Sequence, residues 1–173
     1  ETIDRKYPLF KYSELCFLKA IAIQLGLTSG DAKTEYEAGV RSSMTELGVP
    51  ESKIANYLAS TSPNYYGTTA KYDDVTGTNN TPMDKILTQK YIAQFQECSF
   101  ETWADHRQFH KPTLMPFANV SSSVFNMNPS DQANNTPNAY IKRIYYPSSE
   151  YTVNEANVKE AEKRMGGSNS IQN

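Results

Sequence analysis

Two imidazoles four residues apart are the first feature of this sequence with chemical potential. His106 and His110 are the only histidines, and on a helix their spacing sets both rings on one side, as a zinc site requires. A third ligand would have to come from a carboxylate such as Glu101 or Asp105, and the glutamate of a zincin-type motif is missing between the two histidines. Two surface or hydrogen-bonded histidines are the better reading, and no metal ligand is assigned. Nucleophilic chemistry has no better footing. The serines lie outside any G-x-S-x-G turn, and Cys16 and Cys98 offer neither ligand spacing, nor a disulfide framework, nor a credible Cys–His arrangement. The acidic residues are scattered, so no carboxylate pair for glycoside hydrolysis stands out. Gly166-Gly167 sits at a helix end rather than between a strand and a helix, which excludes a phosphate loop there. No catalytic residue and no cofactor follow from these patterns.

Binding has a clearer home. Tyr65, Tyr66 and Tyr72 stand in a stretch rich in Ser, Thr, Asn and Gly, where flat amphipathic rings can meet a sugar face or a peptide backbone. The competing expectation is that these rings tack the loop onto its helices. Trp103, beside Phe100 on a helix, is expected in the core.

The elements that must position these residues are helical. From Tyr12 to Leu25 apolar residues surround most of the helix, which predicts packing on several sides and a buried Cys16. Thr28 or Ser29 would cap a second helix with the stripe Ala32, Tyr36, Val40, Met44 and Leu47, closed by Gly48. Pro50 opens a third helix carrying Ile54, Tyr57 and Leu58. After the loop at 60–81, Thr81, Pro82 and Asp84 open a fourth helix through about Gln96, with Met83, Leu87, Tyr91 and Phe95 on its buried face. A fifth runs from Ser99 to about Phe109 and stops before Pro112. Residues 111–140 read as a long loop, Ile141 to Tyr146 as a short extended piece, and Asn154 to Arg164 as a final helix.

Composition narrows the partners. The formal charge of −2 supplies no field for a phosphate backbone, which argues against nucleic acid. No run approaches the ~20 apolar residues of a membrane span, and Glu1-Thr-Ile-Asp-Arg does not open a signal peptide. At 173 residues one domain is the default.

Five segments then match a known pattern in order. Tyr12-Ser13-Glu14-Leu15-Cys16-Phe17-Leu18-Lys19-Ala20-Ile21-Ala22 resembles the Y-x-E-x-x-F-L-x-A-E-A helix of SusD/RagB-type outer-membrane lipoproteins. Gly39-Val40-Arg41-Ser42-Ser43-Met44 is similar to that family's G-I-x-x-S-M, and Ile86 to Phe95 is similar to its I-x-x-Q-K-W-I-A-L-F. Glu101, Trp103, Asp105, Arg107 and Pro112 resemble its E-x-W-x-D-x-R-R-x-x-x-P. Arg143, Tyr146, Pro147, Glu150 and Asn154 resemble R-x-x-Y-P-x-x-E-x-x-x-N. The departures are Ile21 for an acid, Ser99 for a glycine, and Gln108-Phe109-His110 in place of the R-x-T-G run.

The resemblance implies a mainly α fold, an irregular antiparallel helix array of tetratricopeptide type with long loops and little β. It implies that residues 1–173, taken alone a single domain, are the carboxy-terminal fragment of a larger SusD-like domain whose earlier part bears the lipid anchor. Family members bind oligosaccharide or peptide nutrients on the outer face of the outer membrane, pass them to a SusC-like TonB-dependent transporter, and do not cleave them. Gln89, Trp103, Asp105 and Arg107, on successive helices, are expected to form a structural network with an Asp–Arg pair and a partnered indole, joined by Arg143, Tyr146 and Pro147. Ligand contact is then left to the loops at 60–81 and 111–140. The alternatives are a surface hydrolase acting on glycans or peptides, and a helical interaction scaffold with no small ligand.

Overall fold

A computed structural model describes residues 8–95, 97–114 and 146–165. The chain divides into two compact units, residues 1–113 and 114–173. The first contains α1 (Tyr12–Gln24), α2 (Ala32–Glu46), α3 (Glu51–Leu58), α4 (Pro82–Ala93) and α5 (Ser99–Phe109). The second contains α6 (Ser148–Val153) and α7 (Glu155–Arg164), which contact each other. No strand occurs among the described residues, and the fold is mainly α as expected. The 111–140 loop and the extended piece at 141–146 lie almost wholly outside the described residues, as does Arg143.

Backbone chemistry explains where the helices begin and end. α1 and α2 both close on a glycine in the left-handed region, Gly26 at φ +71° and Gly48 at φ +76°. In each case the glycine and its successor return their N–H groups to the last turn: Gly26 to Ile23 and Leu27 to Ala22, Gly48 to Thr45 and Val49 to Met44. α2 is capped by Asp31, not by Thr28 or Ser29; its carboxylate accepts from the Lys33 amide at 3.1 Å and the Thr34 amide at 3.3 Å. Only a side chain immediately before the first helical residue reaches those two amides, and the earlier polar residues lie too far upstream. α4 opens on a full capping box, with Thr81 accepting from the Asp84 amide and the Asp84 carboxylate accepting from the Thr81 amide at 2.9 Å. It ends at Ala93, three residues before the sequence suggests, so Phe95 leaves the helical register and is 69% exposed instead of buried.

The core of the first unit joins Phe17, Ala20 and Ile21 of α1 to Tyr36 and Val40 of α2, Ile54 and Leu58 of α3, and Ile86 and Leu87 of α4. α1 packs against α2 and α4, while Leu15 and Leu18 stay about two-fifths exposed, so its burial is one-sided and not all-round. Cys16 is buried. The approach of α1 to α2 rests on Gly39, where an added Cβ would stand 2.7 Å from the Phe17 ring.

Phe17 is fully buried and has no room to retreat. Gly39→Ala should therefore lower stability by about 1–3 kcal/mol, overpacking outweighing the helix propensity that alanine gains. Urea denaturation followed by circular dichroism checks this; an unchanged or raised midpoint would show that the two helices can separate without loss.

Candidate functional site

α4 carries two lysines that a surface-helix reading would place in solvent, and both are buried. Lys85 is fully buried and Lys90 is 2% exposed. A buried ammonium must replace its water shell with protein oxygens. Lys85 Nζ donates to the Thr69 carbonyl at 3.0 Å, to Thr69 Oγ1 at 2.6 Å, and to Asn80 Oδ1. Burial pushes its pKa down, with the carboxylates of Asp74 and Asp84 pulling partly the other way.

Those acceptors belong to the loop at 60–81, which is thereby built rather than loose. Asn80 Oδ1 also accepts from the Thr69 amide at 2.8 Å, and its Nδ2 donates to the carbonyls of Asp74 and Thr76, each at 2.9 Å. Upstream, Asn64 Oδ1 accepts from the amides of Tyr66 at 2.9 Å and Thr68 at 3.0 Å, an Asx turn that fixes the loop tip. Asn79 Nδ2 donates to the Tyr66 carbonyl at 3.0 Å, and the Thr68 hydroxyl donates to the Asn79 carbonyl at 2.6 Å. Gly67, at φ +98°, lies so close to Thr78 that a Cβ would stand 2.6 Å from its carbonyl oxygen. Asp84, the N-terminal cap partner of α4, pairs with Lys111; burial alone would raise its pKa, but Lys111 and the Thr81 hydroxyl and amide hold it below the usual carboxylate range.

The three candidate tyrosines divide. Tyr65 and Tyr66 sit together at the clamped tip with ring centroids 5.1 Å apart, edge to face, and Tyr65 is 88% exposed. Tyr72 instead lies against Tyr36, at 5.2 Å between centroids, and its hydroxyl accepts from Gln24 at 2.8 Å. Its ring packs onto the core, whereas Tyr65 projects outward.

Beside the tip is a cleft of about 170 Å³ that residue patterns alone did not reveal. Its floor is the Gln89 amide donating to the Tyr57 hydroxyl at 2.6 Å, joining α4 to α3. Ser60, Asn64 and Thr68 supply its loop side and Thr88 and Ile92 its α4 side. Asn64, standing just before Tyr65-Tyr66-Gly67, was the available signal, since an Asx turn there aims its neighbours in fixed directions.

The expected network around α5 has different partners. Asp105 pairs with buried Lys90, not with Arg107. Arg107 lies over the Trp103 ring, 4.8 Å from its centroid, and Phe100 meets the same indole edge to face at 5.9 Å. Phe100 is 73% exposed and Trp103 half-buried, so this is a surface stack and not the expected core. The physical reason is that Lys90, the more deeply buried cation, has the stronger need of the carboxylate. Gln89 serves Tyr57 on α3. Of the last motif, Tyr146 is half-buried and Pro147 is the N-cap of α6. His106 is buried and its pKa is lowered by that burial and by His110, against backbone hydrogen bonds at Lys111 and Pro112. His110 is the C-cap of α5 at φ +53°, beyond the last helical residue. Among the described residues no group of three or more His, Cys, Asp or Glu side chains is placed to hold a metal.

The family model described as SusD-like, the SusD and RagB outer membrane lipoproteins, matches residues 2–173. This chain belongs to the SusD-like family. Among solved structures, a SusD homologue from Parabacteroides distasonis is 39% identical with a TM-score of 0.77, over 97% of this chain and 32% of that one. A SusD homologue from Bacteroides thetaiotaomicron is 27% identical with a TM-score of 0.68, over 94% of this chain and 35% of that one. A protein described as chitin-binding is 26% identical with a TM-score of 0.63, over 93% of this chain and 31% of that one. The chain thus spans about a third of the length of these structures. No curated protein matches it. Among the described residues no helix is long and apolar enough to cross a membrane.

The rearranged network separates two substitutions that the sequence motif groups together. Asp105→Ala leaves the Lys90 ammonium buried without its carboxylate and should cost about 3 kcal/mol. Arg107→Ala removes only an exposed cation–π contact and should cost about 0.5–1 kcal/mol. Urea midpoints of the two variants check this; equal losses would mean that Asp105 and Arg107 act as one pair.

Proposed function

We propose that this chain is the carboxy-terminal part of a non-enzymatic, lipid-anchored binding protein of the outer cell surface. It captures oligosaccharide or peptide nutrients and delivers them to a SusC-like TonB-dependent transporter. The observation that carries this reading is the family match over nearly the whole chain. The chitin-binding relative supports the glycan side of it. The one-third coverage of solved homologues supports a longer domain, within which the exposed apolar residues of α1, Leu15 and Leu18, would pack against the remainder.

The geometry agrees with passive capture. The exposed Tyr65 ring, held edge to face against half-buried Tyr66 on a turn clamped by Asn64 and Asn79, presents an amphipathic aromatic face whose ordering cost is already met in the free protein. Tyr65 and Tyr66 are therefore the ligand platform, and Tyr72 is its anchor to the core.

The full-length protein, incubated with arrays of oligosaccharides and peptides and then titrated calorimetrically with whatever binds, should bind and release its ligand unchanged. Replacing Tyr65 and Tyr66 together by alanine should weaken binding about tenfold, the order expected for losing a stacked aromatic surface. Turnover by the purified protein would make it an enzyme, and absence of any binding would leave only an interaction scaffold.

A further inference from the structure

We infer that the cleft between α3, the 60–81 loop and α4 is a subsite for one neutral, hydroxyl-bearing ring of a glycan, resting on the binding reading above. Size is the first argument. At about 170 Å³ the space falls below the roughly 300–1,000 Å³ that drug-sized ligands occupy, so it takes a single ring-sized unit, whereas a peptide of several residues needs a longer groove.

Charge is the second. Among the described residues no ammonium, guanidinium or carboxylate lines the cleft, so an ionised group entering it would lose water without gaining a counter-charge from them. The Lys85 ammonium stands behind Thr69 with its own three acceptors and is fully buried.

Hydrogen-bond chemistry is the third. A sugar hydroxyl both donates and accepts, and the lining answers with groups of the same dual character: the hydroxyls of Tyr57, Ser60 and Thr88 and the amide of Gln89. The Tyr57 oxygen accepts from Gln89, which leaves the phenolic proton to be donated onward. The Asn64 carbonyl oxygen is consumed by two amides of the turn, which leaves its NH₂ as a donor at the rim. Pro63 and Ile92 add a small apolar patch for the C–H face of a ring. The Tyr65-Tyr66 pair follows Asn64 directly, so the next sugar of the same glycan would meet those rings just outside the cleft.

The test uses the full-length protein on arrays of neutral oligosaccharides, acidic oligosaccharides and peptides, followed by calorimetry with the neutral oligosaccharide that gives the strongest signal. Binding to neutral glycans is expected. Gln89→Leu, which removes the floor's amide, should weaken it at least tenfold. Ser62→Trp, at an exposed position on the cleft's mouth, should do the same without touching the fold, which covers the case in which the Gln89 variant is unstable. Unchanged affinity in Ser62→Trp would overturn the subsite while leaving the binding function standing. Peptides or acidic glycans bound in preference to neutral ones would also overturn it. Failure of the wild-type protein to bind anything on the arrays would overturn the binding reading itself.

Discussion

The structure of residues 8–113 depends on two cations that have been taken out of water. Removing an ammonium from solvent costs several kcal/mol unless protein oxygens take over its hydration, so each buried lysine of α4 compels a neighbouring segment to supply them. Lys85 compels the 60–81 loop, through Thr69 and Asn80; Lys90 compels α5, through Asp105. Each segment lends some apolar surface, Tyr72 from the loop and Phe109 from α5, but these rings are only partly buried. Thr68, Thr69, Ala70 and Asn80 are the buried part of the loop, and His106 is the one residue of α5 that is buried outright. Polar anchoring takes the place that a wider hydrophobic contact would fill, and it fixes direction as well as position, because hydrogen bonds are angular where apolar contacts are not.

That arrangement links packing to function. A loop of serine, threonine, asparagine and glycine has too little to bury to hold a shape by itself. Once its carbonyls and amides are committed to Lys85, Asn64, Asn79 and Asn80, the tip becomes a rigid mount for Tyr65 and Tyr66, and its inner side becomes one wall of a neutral polar cleft. The ordering entropy is spent in folding, so a ligand meets surfaces already in place. Such a frame is compatible with the binding role proposed above.

The helices were legible because their signals are local. Tyr12, the Thr81-Pro82-Asp84 cap, Gly26, Gly48 and the Ser99–Phe109 span each follow from the few residues around them, and six of the seven helices among the described residues lie where pattern reading puts them to within a few residues. The Asp31 cap was misplaced because several cap-forming residues crowd the same turn and only geometry chooses among them. α6, six residues long, is too short to show a period. The polar interior was invisible for a different reason. A lysine on a helix reads as solvent-facing unless its partner is known, and the partners of Lys85 lie 16 and 5 residues away in a segment that has no pattern. The same blindness exchanged the partners of Asp105: a motif shows that Asp, Arg and Trp recur together but not which cation is the more deeply buried. The cleft has that same patternless segment as one wall and was hidden for the first of these reasons.

Hydrogen exchange in Lys85→Met tests the role of the buried ammonium most directly. Methionine keeps the stem's bulk and deletes the charge, leaving the Thr69 carbonyl and Asn80 side chain short of their donor. If the cation holds the loop, amides of residues 60–81, Thr69 above all, should exchange at least tenfold faster while those of α2 keep wild-type protection. Wild-type protection across the loop in this variant would contradict the account, because the loop would then owe its order to something other than Lys85.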